Sequence, residues 1–277
     1  MSERAVALVL SGGGAKTAAH LGAVRAVTES GRTIARYVAT SMGAVMAAGL
    51  AGGAEPPALL DRLAEVGPRG VVREPLALLS GLFARSLLRP APLRRAIEQL
   101  VPARRFADLA VPLTVAVADL DSGALVLFGD GGADAPLIDV LCATCALPLY
   151  YPPVVLAGRR CGDGGVHGVL PLAAAAHVVK EPVVAVDVGP GQDLPAGPEV
   201  ALPPMVRAHD EALGTMMAAL TAVSLEAWRC DSGRPALVHV RPPVERGATF
   251  QVDRMRRYAE DGHRAAREAL AQFPARP

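Results

Sequence analysis

The sequence predicts an α/β protein built on a mainly parallel β-sheet with helices on both faces. Short runs that are apolar at every position alternate with segments whose apolar residues recur every three or four positions. Strands that are apolar throughout are typical of sheets buried on both sides, and strand–helix alternation is typical of parallel connections. The 277 residues suffice for a full core, and no shift in composition divides them. We therefore predict a single domain over residues 1–277.

The individual elements follow from apolar periodicity and from the glycines and prolines that separate them. Buried strands are predicted at Ala5–Leu10, Ile34–Ala39, Val111–Ala118, Ala124–Phe128, Val183–Val188 and Ala236–Val240, with an extended run at Pro152–Ala157. Helices are predicted at Thr17–Ser30, Met42–Leu50, Pro136–Ala146, Met205–Arg229 and Asp253–Phe273. The stretch Pro56–Leu100 has a helical pattern that glycines and prolines interrupt.

Charge and hydropathy exclude several classes of function. Lys and Arg number 28 against 27 Asp and Glu, and aromatic residues make up only 4%. Without a basic excess or aromatic stacking surfaces, nucleic-acid binding is not expected. The longest nearly apolar run, Met42–Ala54, is shorter than the roughly 18–20 residues of a membrane-spanning helix. We predict a cytoplasmic protein. The near-neutral charge gives no support for peripheral membrane contact, which stays open, and no feature predicts an oligomeric state.

The four cysteines do not form a metal or redox pattern. Cys142 and Cys145 have the spacing of such a pair, but Cys161 and Cys230 do not form a second one. We therefore expect free thiols that pack as small apolar side chains. No calcium-binding loop is visible, and we predict neither a metal nor a cofactor.

A glycine-rich loop, Ser11–Lys16, lies between the first strand and the first helix. A Walker A phosphate loop is excluded because Ala15 precedes the lysine, where that motif requires glycine. A dinucleotide-binding fingerprint matches only partly, since the third glycine and the later acidic residue are missing. Backbone N–H groups at Gly12, Gly13 and Gly14 could instead hold an anion or a developing oxyanion. A tight turn without a ligand is the remaining alternative.

A serine follows the second predicted strand and opens a helix of small residues. The segment Ala39–Gly43 resembles the G-x-S-x-G turn that exposes a nucleophilic serine, here Ser41. An ordinary helix-capping serine is the alternative. A nucleophilic serine needs a base, and among the late histidines only His167 lies within strong turn signals. A carboxylate is therefore the better candidate for the base.

Two Asp-Gly-Gly triplets could present such a carboxylate to a pocket. Asp130 ends a predicted hairpin and precedes a polar turn, where a solvated loop is the simplest interpretation. Asp163 follows the segment Tyr150–Pro153 and a short extended run. The context favours Asp163.

Four segments, in order within residues 5–175, resemble patatin-like phospholipases. They are Gly12–Gly22, Ala39–Ala44, Ala143–Val154 and Asp163–Gly165. The resemblance implies a three-layer α/β/α fold, a Ser–Asp dyad without a catalytic histidine, and acyl esters of lipids as substrates. It implies Ser41 as the nucleophile and Asp163 as the base. It also implies an oxyanion hole formed by the backbone N–H groups of Gly12, Gly13 and Gly14.

Two departures from the family pattern bear on activity. Ala39 stands where glycine is usual, and Thr17 stands where glycine commonly follows the basic residue of the loop. Either change could lower activity or reshape the pocket. A catalytically weak or inactive lipid-binding or acyl-binding protein on the same fold is therefore one alternative, and a nucleotide-binding domain is another.

Other segments have two interpretations each. The apolar stretch Leu76–Leu88 fits a lid or a lipid-facing surface, or else core or a dimer contact. Met205, Met216 and Met217 could line a flexible acyl pocket or pack in the core. His20, between apolar helix residues, is expected to be structural.

Overall fold

The structure is a computed structural model that describes residues 4–72, 86–191, 193–194, 203–246, 249 and 251–273. The strands in these residues are β1 Ala5–Leu10, β2 Thr33–Ala39, β3 Leu113–Asp119, β4 Leu125–Gly129, β5 Val154–Leu156, β6 Arg159–Asp163, β7 Val183–Val186 and β8 Leu237–Val240. The α-helices are α1 Ala18–Glu29, α2 Ser41–Ala51, α3 Pro56–Gly70, α4 Pro90–Leu100, α5 Leu137–Thr144, α6 Leu172–Val178, α7 Pro204–Cys230 and α8 Met255–Ala271.

One sheet contains all of these strands, and its centre is parallel. Strands β3, β2, β1, β7 and β8 lie side by side in parallel. Strands β4 and β6 pair with β3 in antiparallel orientation, and β5 extends the sheet beyond β6. The predicted mainly parallel sheet is confirmed.

Helices cover both faces of the sheet, and strand β1 shows this most simply. Leu8 and Leu10 point into a core that includes residues of α1, α2, α3 and α8. Ala7 and Val9, at the alternate positions, point to the opposite face, where α6 and α7 pack. Because side chains alternate along a strand, one apolar strand serves two cores. The three-layer α/β/α arrangement is confirmed.

The last helix packs closely on the helix that follows the glycine loop. A Cβ on Gly22 of α1 would lie 1.8 Å from the carbonyl oxygen of Ala259, and one on Gly262 of α8 would lie 2.0 Å from that of Ala19. Any side chain at either glycine would separate the two helices. The two glycines therefore hold α8 against α1, next to the glycine loop.

Several expectations about local structure need correction. The first helix is preceded by a 3₁₀ turn at Gly14–Thr17, so the chain turns helical directly inside the glycine loop. Strand β6 was not predicted, because Arg159 and Arg160 face solvent and interrupt the apolar pattern. Most of the possible lid, Leu76–Leu88, falls outside the described residues. Within them, no helix combines the length and apolar character needed to span a bilayer.

Candidate active site

The register of the sheet brings the two predicted reacting side chains to the same level. Ala39, the last residue of β2, pairs with Val115 of β3. Asp163, the last residue of β6, pairs with Val117, two residues further along β3. Ser41 lies two residues beyond Ala39, so it reaches the height of Asp163. Distant segments therefore meet at the carboxyl end of β2.

Ser41 lies on a sharp turn between β2 and α2. Thr40 is extended, whereas Ser41 has a φ of +53°, in the left-handed region that residues other than glycine rarely adopt. Gly43 allows the turn to approach the glycine loop, because a Cβ there would lie 2.2 Å from the carbonyl oxygen of Ser11. Such a strained serine at the start of a helix has the geometry of a nucleophile elbow.

The hydroxyl of Ser41 is hydrogen-bonded to the predicted base. Ser41 Oγ donates to Asp163 Oδ2 over 2.7 Å, and the backbone N–H of Gly165 donates to Asp163 Oδ1 over 2.8 Å. Gly164 is required by packing, because a Cβ there would lie 2.2 Å from the carbonyl oxygen of Ala116. The Asp-Gly-Gly triplet thus both orients the carboxylate and lets the turn pack closely against strand β3.

The surroundings of Asp163 make its carboxylate unusually basic. The residue is only 2% exposed, and among the described residues no cationic side chain forms an ion pair with it. Burial raises the pKa of Asp163 to about 6, against smaller opposing effects of the hydrogen bonds from Gly165 and Ser41. The other triplet differs, because Asp130 accepts a hydrogen bond from Arg36 Nη1 over 2.6 Å at a partly exposed position.

The glycine loop lies against Ser41, but its three amide groups are not equivalent. A Cβ on Gly12 would lie 2.9 Å from Ser41 Cβ, which places the loop in contact with the serine. The N–H of Gly12 donates to the carbonyl oxygen of Val169 over 3.0 Å and is therefore occupied. The N–H groups of Gly13 and Gly14 have no acceptor among the described residues. Of the three N–H groups predicted to form an oxyanion hole, those of Gly13 and Gly14 are therefore the ones left without an acceptor in the described residues.

Buried side chains behind the loop hold it in place. Ser11 Oγ accepts the N–H of Val188 over 2.8 Å and donates to the carbonyl oxygen of Gly12. His20 Nε2 lies 2.8 Å from the carbonyl oxygen of Ser11, and this nitrogen must carry the proton because a carbonyl only accepts. Burial lowers the pKa of His20 to about 4, which keeps the ring neutral near pH 7. The structural role expected for His20 is confirmed.

Thr144, which the sequence did not single out, holds the serine turn from below. Its Oγ1 accepts the backbone N–H of Ser41 over 2.9 Å and donates to the carbonyl oxygen of Ala116 over 2.7 Å. The hydroxyl of Thr40 lies 3.2 Å away. Since Thr144 is fully buried, these bonds are shielded from water. Thr144 therefore stabilises the backbone of Ser41 in its uncommon conformation.

A second carboxylate that the sequence did not predict lies beside the loop. Asp187 is 3% exposed, accepts the N–H of Gly189 over 2.8 Å, and lies 3.0 Å from Arg241 Nη1. His239 Nε2 lies 3.5 Å from its other oxygen. Burial raises the pKa of Asp187, but His239 and Arg241 outweigh this effect and hold the pKa below its usual value. Asp187 is therefore an ionised structural carboxylate.

Lys16 is buried next to this charged group. Burial, together with the charge of Arg241, lowers the pKa of Lys16 to about 8, against the opposing charge of Asp187. Its Cε would lie 3.6 Å from a Cβ placed on Gly13, so the side chain lies beside the glycine loop. Lys16 therefore belongs to the support of the loop.

An apolar cavity of about 90 Å³ opens at Ser41. Its walls come from α2, α3, α4, the segment after α5, and the start of α8. The larger side chains around it are Met42, Leu63, Leu93, Ile97, Leu100, Leu147, Tyr151, Val252 and Met255. The methionines proposed from the sequence do not line it: Met205 and Met216 are exposed, and Met217 packs near Gly165. Met42 and Met255 take that place.

Comparisons with known proteins agree with this fold. Residues 8–176 match the family model described as patatin-like phospholipase. An uncharacterized NTE family protein of Mycobacterium tuberculosis is 32% identical over 194 residues, which cover 68% of this chain and 51% of the relative. Human patatin-like phospholipase domain-containing protein 6 is 28% identical over 187 residues, 66% of this chain and 13% of the relative. The chain thus spans about half, or less, of these relatives.

The fold also resembles that of a solved structure. The crystal structure of VipD from Legionella pneumophila superposes with a TM-score of 0.50, covering 97% of this chain and 67% of that one at 14% identity. At this identity the likeness concerns the fold alone. The match of the family model over more than half of the chain shows that this chain belongs to the patatin-like phospholipase family.

Proposed function

We propose that the protein is a serine acyl hydrolase that cleaves carboxylic esters of lipids, of the phospholipase A, lysophospholipase or esterase type. The observation that carries the proposal is the 2.7 Å hydrogen bond from Ser41 Oγ to the buried carboxylate of Asp163. A serine hydroxyl is a weak nucleophile until a base removes its proton. A carboxylate whose pKa lies at about 6 can accept that proton near neutral pH better than an ordinary aspartate can.

In the first half of the reaction, Ser41 Oγ attacks the ester carbonyl carbon while Asp163 Oδ2 accepts the hydroxyl proton. The carbonyl oxygen becomes an oxyanion, which accepts hydrogen bonds from the N–H groups of Gly13 and Gly14. The N-terminus of α2 adds positive potential at the same place. Collapse of the tetrahedral intermediate breaks the ester bond, and the alcohol leaves with the proton from Asp163. Loss of one oxyanion donor typically costs about 3–4 kcal/mol in transition-state stabilisation.

In the second half, water replaces the alcohol. Asp163 accepts a proton from the water as its oxygen attacks the acyl carbon of the acyl-serine. The same donors stabilise the second oxyanion. Ser41 then leaves as the alkoxide, takes the proton back from Asp163, and the fatty acid is released. Protons balance over the cycle, and the dyad returns to its starting state.

The two departures from the family pattern are accommodated away from the reacting atoms. Ala39 is fully buried in the sheet, where its methyl group packs in the core. Thr17 is buried too, and its Oγ1 donates to the carbonyl oxygen of Gly14 over 2.7 Å. The threonine therefore adds a bond that stiffens the oxyanion loop. These contacts favour an active enzyme over an inactive acyl-binding protein.

Ester turnover by matched variants tests the proposal. We expect the wild-type protein to hydrolyse p-nitrophenyl butyrate and a lysophospholipid, and Ser41→Ala to lose at least about 10³-fold in kcat/KM. Ser224→Ala, on the partly buried side of α7, is the matched control and should retain wild-type activity. Full activity in Ser41→Ala would contradict the dyad. Fatty-acid binding without turnover of any ester would favour the acyl-binding alternative.

A further inference from the structure

Two glycines of α3 line the cavity beside Ser41. Gly67 and Gly70 lie in the last turn of the helix Pro56–Gly70 and face the cavity together with Leu63 of the same helix. Glycine disfavours helix formation relative to alanine because its backbone loses more freedom on folding. Neither glycine has the left-handed φ that would require this residue type. Packing around the two glycines, and not their backbone conformation, therefore explains why glycine stands at these positions.

Side chains at these two positions would collide with residues that form the wall of the cavity. A Cβ on Gly67 would lie 2.9 Å from Met255 Cε, and a Cβ on Gly70 would lie 3.1 Å from Ala96 Cβ. Met255 and Ala96 both line the cavity as well. A larger residue at position 67 would therefore push the end of Met255 inward or fill the cavity itself. The two glycines therefore allow α3 to pack against Met255 and Ala96 without displacing them into the cavity.

The chemistry of the walls indicates which half of an ester enters. None of the described residues that line the cavity is charged, and Ser41 lies at the wall. A charged or strongly hydrated head group would lose its solvation there without compensation. An apolar chain would replace poorly solvated empty space and gain contacts with the walls. The acyl side of the ester therefore fits the cavity, and the alcohol side must face away from it.

We propose that this cavity binds the fatty acyl chain of the substrate and that Gly67, with Gly70, sets the longest chain accepted. This proposal rests on the proposed function, since it assigns the acyl half of the ester substrate to the cavity beside Ser41. Each methylene group that the cavity buries contributes about fourfold to kcat/KM. A side chain that shortens the cavity removes this gain for long chains only. Substitution at Gly67 should therefore change chain-length preference rather than reactivity.

The test is a chain-length profile with soluble p-nitrophenyl esters from acetyl to dodecanoyl, each below its micelle concentration. We expect Gly67→Leu to keep kcat/KM within about threefold of wild type for acetyl and butyryl esters and to lose at least tenfold for decanoyl and dodecanoyl esters. Gly67→Ala should give an intermediate profile. Gly214→Leu is the matched control, because Gly214 lies in α7 and its nearest neighbour is Pro190 at 3.6 Å. It should keep the wild-type profile.

A second variant, with the opposite expected effect, tests the proposal independently of whether Gly67→Leu folds. Met255→Ala enlarges the same part of the cavity, so we expect the ratio of dodecanoyl to butyryl kcat/KM to rise. An unchanged profile in both cavity variants, or an equal loss for short and long esters, would overturn the assignment of the cavity. Failure of the wild type to hydrolyse any ester would instead overturn the proposed function, and the two failures are therefore distinguishable.

Discussion

Asp163 and Asp187 occupy nearly equivalent places in the fold and have opposite electrostatic surroundings. Asp163 is the last residue of β6, and Asp187 directly follows the last residue of β7. Each is almost completely buried, and each accepts the N–H of a glycine two residues later over 2.8 Å. Asp163 has a serine hydroxyl as its other partner, whereas Asp187 has Arg241 and His239. Burial raises the pKa of Asp163 to about 6, while the pKa of Asp187 lies below its usual value.

The comparison shows that local sequence does not decide which buried aspartate can serve as a base. Backbone geometry and depth are shared, so the difference must come from the cationic neighbours. A carboxylate held by Arg241 has little affinity for a proton, and it gains stability from being charged. The unpaired carboxylate of Asp163 is costly in its charged form and for that reason accepts a proton readily.

The largest expected effect is on catalysis and separates the two residues. Asp163→Asn should lower kcat/KM for a soluble ester by about 10³-fold or more, because the amide cannot accept the serine proton. Asp187→Asn should remain within about tenfold of wild type, because it does not touch the reacting atoms. Initial rates with p-nitrophenyl butyrate at pH 8 measure both. Equal losses of kcat/KM in the two variants would contradict the claim that only Asp163 acts on the reacting atoms.

The second expected effect is on stability, and here the larger loss is expected for the Asp187 variant. Asp187→Asn leaves Arg241 with only the exposed carboxylate of Asp193 and should lower the free energy of unfolding by about 2–4 kcal/mol. Asp163→Asn removes an unpaired buried charge and should be neutral or stabilising near pH 7. Urea unfolding followed by circular dichroism gives both values. A strongly destabilised Asp163→Asn with an unaffected Asp187→Asn would contradict the assigned surroundings.

The third expected effect concerns pH. Since the base must be ionised, kcat/KM should rise through about pH 6 and level off above about pH 7.

The raised folded-state pKa also means that native Asp163 binds a proton more tightly than the unfolded chain does. Its contribution therefore lowers stability as pH rises from about 4 to 6, by about 2–3 kcal/mol, and Asp163→Asn should abolish that slope. Asp187 has the opposite sign, because its stabilisation is present above about pH 4 and is lost as pH falls through its lowered pKa.

Wild-type and Asp163→Asn proteins should therefore differ in the slope of unfolding free energy between pH 4 and 6. Thermal or urea unfolding across this range measures the slope. A pH–rate profile with its acidic limb near pH 4 would mean that Asp163 has an ordinary pKa, and would remove the electrostatic difference between the two aspartates.

The smallest expected effect concerns the support of the nucleophile. Thr144→Val removes the hydroxyl that accepts the N–H of Ser41, so kcat should fall by about 10–100-fold with little change in KM. Thr144→Ser keeps the hydroxyl and should restore most of the rate. Thr114→Val is the control, because Thr114 is equally buried and bonds the carbonyl oxygen of Asp130 instead. Equal kcat losses in the two valine variants would indicate a general stability effect.

The sequence predicts those parts of the site that need glycine. Gly43 and Gly164 are required because a Cβ would collide with a neighbouring carbonyl oxygen, and such requirements leave short patterns around Ser41 and Asp163. Thr144 and Asp187 leave no such pattern. Thr144 acts on a residue 103 positions away, and Arg241 is 54 positions from Asp187, so neither pairing appears in local spacing.

The same distinction applies to the fold. The apolar parallel strands were predicted to within two residues at most ends, because burial on both faces fixes their composition. Strand β6 was missed because its first two residues, Arg159 and Arg160, are exposed in the antiparallel part of the sheet. The occupied N–H of Gly12 also depends on a distant partner, Val169, which only the folded chain brings near.

The most direct test of the account is the rate at which a fluorophosphonate labels Ser41, followed by intact-mass and peptide mass spectrometry. We expect one adduct, on Ser41, in the wild type and in Asp187→Asn, with rates within about tenfold of each other. Labelling should be at least about 100-fold slower in Asp163→Asn. Labelling of Asp163→Asn at the wild-type rate, or an adduct on another residue, would contradict the claim that this buried, unpaired aspartate activates the serine.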